Sequence, residues 1–340
     1  MLNATLLSPF RRHKKKPANS LLPYYFAIIL TYIIWSAAGP VIKLTVEYIP
    51  VFTFLLFRFI IVCTILLPYV YVELKKNPIH KDDILKIIVL GIFSQASLAL
   101  IFFGFKYTSA IEATVIGLLA PILSVYAGHY FYNEKVDTHV RTGLGIATLG
   151  TIFVALEPIL STQHITQSSS LRLFGNFLVV IYTLAFLMYI LWSKMTMGNN
   201  SKPMKKTLRY FHMKPMKKHY SAALLTALTF YVGLATYIPL GILENNGVFG
   251  TQIFTPEQFT IVPIAGVLYM ALISSIVAYT AFEWGLSKVE VKDTAIFSYL
   301  QPVFTLPFAY ILLRELPNQY TIVGGAIIAL GVLIAESKKS

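Results

Sequence analysis

Ten apolar stretches divide this chain of 340 residues, at 22–42, 51–72, 84–105, 110–132, 143–156, 173–192, 220–243, 259–282, 294–313 and 321–335. Crossing a bilayer as a helix takes about 17–25 apolar residues. In hydrocarbon a helix is the one element that satisfies its backbone within a single segment. The fifth and tenth stretches are short and need flanking residues or local thinning to span. Composition agrees: 56% of residues are hydrophobic and 13% are charged, where soluble domains carry roughly a quarter. The expected fold class is an all-α polytopic membrane protein with ten transmembrane helices.

The formal charge of +13 would suit nucleic acid if it formed a face, but it does not. Lys and Arg sit in short runs between apolar stretches, as loop charges that set membrane orientation do. With the N-terminus in the cytoplasm, 23 of the 28 fall on cytoplasmic connections and 4 on outer ones, with Arg58 inside the second stretch. Both termini are therefore expected inside. The basic run Arg11–Lys16 precedes a stretch too long for a signal-peptide core, so 22–42 reads as the first span. The single cysteine, Cys63, lies in an apolar run and offers no cluster for a metal. No cofactor is expected.

Shifting the chain by 181 residues brings Pro121 onto Pro302, Glu134 onto Glu315, Gly104 onto Gly285, Gly143 onto Gly324 and Gly150 onto Gly331. Each copy reads as an apolar helix with a central proline, a terminal Glu, a polar turn and a glycine-bearing helix. Two consecutive copies of an odd number of helices must enter the membrane in opposite senses. The expectation is two inverted five-helix repeats, a recurring design of secondary transporters. The chain then divides into a basic cytoplasmic N-terminus at 1–21, a first repeat at 22–160, and a second at 173–337 containing a basic loop at about 193–219. That loop holds KPMKK twice and reads as a solvated cytoplasmic loop, or as a segment lying on anionic lipid.

The run FKYTSAIEATVIGLLAPILSVYAGHYFYNE at 105–134 and its second copy WGLSKVEVKDTAIFSYLQPVFTLPFAYILLRE at 284–315 resemble the helix-three-to-four signature of the EamA family in the drug/metabolite transporter superfamily. Trp35 with Lys43, and Arg58 in the second stretch, are similar to features of that family's first two helices. The resemblance covers almost the whole chain. It implies a ten-helix bundle with a central cavity, an exporter or exchanger of small solutes, and a role for Glu134 and Glu315 as turn residues rather than ligands. The long basic loop departs from the family pattern.

Ionisable groups at bilayer depth are costly, so they are usually functional or paired. Arg58 is placed to hold an anionic substrate group; a structural cation bonded to neighbouring carbonyls is the competing reading. Glu283 and His129 are candidates for proton coupling, against interfacial or hydrogen-bonded roles. Trp35, Gln95, Tyr182, Tyr189, Ser275, Tyr279, Tyr299 and Gln301 together give an uncharged, aromatic and hydroxylic lining for a substrate path. Pro40, Pro121 and Pro302 are candidate kinks, since proline removes a helical donor. The dispersed glycines read as close-approach points between helices.

These residues indicate a secondary transporter of small metabolites, amino acids or drug-like solutes by alternating access, in the plasma membrane. Its partners are membrane lipids and a small-molecule substrate, not nucleic acid; a homo-oligomer is left open. A lipid scramblase or flippase, or a membrane-embedded lipid-modifying enzyme, is the alternative. The enzyme reading is weakened because Asp82–Asp83, the only acidic doublet of the type that chemistry needs, lies in a loop.

Overall fold

Helix starts follow local chemistry. In the computed structural model, which describes residues 21–132, 136–157, 169–198, 201–210, 212, 214–249, 253–299 and 301–336, the first helix, α1 (Leu22–Val46), opens with a proline in its first turn. Next come α2 (Val51–Lys76) and α3 (Lys81–Tyr107), whose acidic first turn holds Asp82 and Asp83 against the positive end of the helix dipole. Ser109 caps α4 (Ala110–Tyr132) by accepting from the Glu112 N–H, and Asp137 caps α5 (Thr138–Ala155) through the Val140 N–H. The remainder are α6 (Ser169–Thr196), α7 (Lys202–Tyr210), α8 (Ala222–Asn245), α9 (Ile261–Leu286), α10 (Val291–Ser298), α11 (Gln301–Leu313) and α12 (Gln319–Glu336). No strand occurs among the described residues.

Seven of these helices, α1–α4, α6, α8 and α9, are long and apolar enough to cross a membrane. The other three expected spans are shorter or interrupted. α5 carries polar residues in its first turn. The expected single segment 294–313 is two helices, α10 and α11. The interruption has a cause: a proline cannot donate to the carbonyl four residues before it. α4 breaks at Leu118, three residues before Pro121, and the α10–α11 break begins at Tyr299, three residues before Pro302. The two breaks lie one repeat offset apart. α1, by contrast, runs unbroken through Pro40. The Ser36 carbonyl that Pro40 cannot serve instead accepts from the Thr305 hydroxyl of α11 at 3.1 Å. The basic connection is also shorter than expected, because α6 continues to Thr196 and α7 occupies its middle.

α5 packs chiefly on α12, α2 on α8, and α3 on α6. α1 lies along α9 as α6 lies along α3, and it meets α11 as α6 meets α4. Gly143 of α5 meets the Gly331 backbone of α12, and Gly150 meets that of Gly324, so the two helices run antiparallel. The outside of the bundle is apolar, with Leu149, Ile311, Leu330 and Leu333 exposed, whereas Arg58, Glu112 and Glu283 are buried. That is the arrangement hydrocarbon demands.

Candidate functional site

A cavity of about 90 Å³ lies in the middle of the bundle. Its wall takes Trp35 from α1, Arg58 from α2, Phe102 from α3, Tyr182 and Phe186 from α6, Tyr279 from α9 and Gln301 from α11. A smaller cavity of about 30 Å³ adjoins it, sharing Trp35, Gly117, Tyr182 and Gln301 and reaching Ser124 and Ser298. Gly117 and Gln301 stand beside the breaks of α4 and α10–α11, so interrupted backbone borders the cavity. In a membrane such backbone is tolerated only where protein or a polar space covers it.

Over Tyr269–Tyr279, α9 is wound as a π-helix, a form frequent at functional sites. The Ser275 hydroxyl donates to the Met270 carbonyl at 2.7 Å and accepts from Arg58 Nε at 2.7 Å. Ser275 therefore stands behind Arg58 and holds it. The Ser274 carbonyl accepts from the Trp35 indole at 3.4 Å, and the Ala278 carbonyl accepts from the Thr31 hydroxyl at 3.1 Å. The seam between α1 and α9 is thus hydrogen-bonded along its length.

Arg58 is fully buried. Its guanidinium carbon lies 5.4 Å from the Phe59 ring centre and 5.8 Å from that of Phe102. Among the described residues, neither Nη atom has a hydrogen-bond partner.

The other expected site residues divide. Tyr189 does not line the cavity; its hydroxyl donates to Glu283, to which the Ser193 hydroxyl also donates at 2.5 Å. Glu283 is buried, without an ion pair among the described residues. Gln95 is buried away from the cavity, giving its amide N–H to the Thr229 carbonyl at 2.9 Å. Tyr299 is half-buried against the core, outside the cavity wall. His129 is on the exposed surface of α4. Glu315 accepts from the Ala110 N–H at 2.8 Å and pairs with Lys43 at 2.7 Å. Glu134 lies outside the described residues.

Several anchors carry little signal in the sequence. At one end of the bundle, Arg172 pairs with both Glu112 and Glu157. Asn318 donates to Glu157 at 2.7 Å. Glu244, at the end of α8, accepts the Phe52 and Thr53 N–H groups at 3.2 and 2.7 Å and so caps α2. At the opposite end, Asp83 accepts from Lys86 Nζ, the Lys217 and Lys218 N–H groups and the Tyr220 hydroxyl, all within 2.9–3.1 Å. Burial pushes the Tyr220 hydroxyl above its usual range, and the Asp83 carboxylate adds to the shift. The acidic doublet is therefore a structural clasp for the basic loop. Among the described residues no group of His, Cys, Asp and Glu is placed to hold a metal.

Long apolar helices around a largely uncharged cavity define an integral membrane protein. The EamA-like transporter family matches residues 22–156 and 207–336, and the chain belongs to that family. An uncharacterized transporter of Archaeoglobus fulgidus is 24% identical over 93% of this chain and 98% of its own length. A probable amino-acid metabolite efflux pump of Salmonella typhimurium is 23% identical over 91% of this chain and 93% of its own. A solved crystal structure shares the fold, with a TM-score of 0.57 at 13% identity, covering 94% of this chain and 98% of that one.

Proposed function

We propose that this transporter carries small metabolites, amino acids or drug-like solutes by alternating access. Two inverted five-helix repeats, 22–160 and 173–337, span the membrane ten times with both termini in the cytoplasm of the plasma membrane. The observation that carries this reading is the cavity, walled by helices of both matched regions and by α6 between them. The antiparallel glycine pairs of α5 and α12 support opposite senses of the two copies. Equivalent halves around one site can open to either side at nearly equal energy, which is what alternating access needs. The Salmonella relative's name adds support for amino-acid-like solutes.

Flux in proteoliposomes tests it. Labelled amino acids and small metabolites should move saturably in wild type, and at least about tenfold more slowly in Trp35→Ala and Gln301→Ala. Absence of flux for every solute, with headgroup-labelled lipid moving between leaflets instead, would favour the scramblase reading.

A further inference from the structure

Arg58 is the one charged group among the described residues that line the cavity. No carboxylate of the described residues meets it. Glu283, the buried acid of α9, is turned to Tyr189 and Ser193, and Glu112 is held by Arg172. Arg58 is oriented through Nε alone, by Ser275, while the Phe59 and Phe102 rings flank the guanidinium. Both Nη groups are buried and, among the described residues, left without partners. A guanidinium fixed at one nitrogen with its other two free presents a fork that fits a planar carboxylate. Such a pair is strongest where water is excluded. A cation kept at bilayer depth with no counter-charge is expensive, and a ligand that brings the charge removes that cost.

The rest of the wall limits the body that the carboxylate can carry. It is mainly apolar and aromatic, with Trp35, Phe102 and Phe186 beside the polar Gln301 and Tyr182. Among the described residues no acid stands in that wall to pair with an ammonium. The volume of about 90 Å³ equals about six water-sized volumes at roughly 15 Å³ each, so the solute is small.

We infer that the cavity binds small organic monocarboxylates with an apolar body. The carboxylate sits on the Nη fork of Arg58, and an α-amino group is not required. This rests on the transport reading only in identifying the bound solute with the transported one. The selectivity is set by charge: the anion meets Arg58, whereas a cation on the same skeleton meets rings, hydroxyls and an amide but, among the described residues, no opposite charge.

Binding to the purified full chain in detergent, followed by tryptophan fluorescence and by thermal shift, tests it with four probes on one branched skeleton: isocaproate, leucine, isocaproamide and isoamylamine. Isocaproate should bind at least as tightly as leucine, whose ammonium finds no acid among the described residues of the wall. The amide and the amine should bind at least about tenfold more weakly, the loss of one charge-assisted contact. Arg58→Gln should erase the preference for carboxylates, bringing isocaproate down to about the affinity of the amide in the same variant. Arg58→Lys, which keeps the charge without the fork, should retain part of it and serves if the Gln variant does not fold. Equal or tighter binding of the amide or the amine, or no binding of any probe, would overturn the inference. Carboxylate-selective binding in detergent without flux in proteoliposomes would sink the transport reading and leave this one standing; flux that favours the amine would do the reverse.

Discussion

Gly143 of α5 and Gly331 of α12 meet backbone to backbone, with no room for a side chain on either. Under the repeat offset of 181 residues the same contact recurs as Gly324 against Gly150. A contact and its image can both exist only if the two helices are related by an approximate two-fold axis. A β-carbon at Gly331 would fall 2.5 Å from the Gly143 carbonyl oxygen, and one at Gly150 would fall 2.8 Å from that of Gly324. Gly143→Ala and Gly331→Ala should each destabilise the protein by about 1–3 kcal/mol, since backbone must part to admit the methyl. Gly145→Ala, with open space at its β-position, should be neutral or gain up to about 1 kcal/mol. Thermal unfolding in detergent separates the two classes.

Arg172 stands between two buried acids, Glu112 and Glu157. Arg172→Met should cost about 3–5 kcal/mol, because two carboxylates are left buried without a counter-charge. Adding Glu112→Gln and Glu157→Gln should restore more than half of the loss. A triple variant no more stable than the single one would show that the cation is not what the acids need.

Glu283 is buried with two hydroxyl donors and no cation among the described residues. We propose that it couples transport to protons. Glu283→Gln should exchange labelled solute at close to the wild-type rate but fail to concentrate it when a pH gradient is imposed. Unchanged accumulation in that variant would make Glu283 a packing residue.

Asp83 ties the basic loop down through the Lys217 and Lys218 N–H groups. With Asp83→Ala, limited trypsin digestion should cut after Lys217 or Lys218 at least about tenfold faster, with α8 otherwise intact. Cleavage at the wild-type rate would mean that the loop is held by α7 instead.

Most helices were legible because hydropathy sets where a chain can cross lipid, and the caps Ser109 and Asp137 stand where polar side chains precede apolar runs. The breaks in α4 and α10–α11 were legible as prolines but not as interruptions three residues earlier. Proline alone does not decide it: helices run on through Pro40, Pro68, Pro239 and Pro307, and at Pro40 Thr305 serves the orphaned carbonyl from another helix. Arg58, Trp35, Tyr182, Tyr279 and Gln301 stood out as polar or aromatic groups in apolar runs, and they share the cavity wall. Gln95 and Tyr299 have the same local signature but face elsewhere, because helix rotation is set by packing across the bundle. Glu244 and Arg172 gave little signal, since each acts on a residue distant in sequence.

Alternating access is the central claim, and one thiol tests it most directly. Gln301→Cys, in a Cys63→Ser background, places a reactive group in the cavity wall. A membrane-impermeant maleimide should label it from the outside in right-side-out vesicles and from the cytoplasmic side in inverted ones, with saturating solute slowing both. Labelling from one side only, under every solute and gradient applied, would contradict a carrier that opens to both faces.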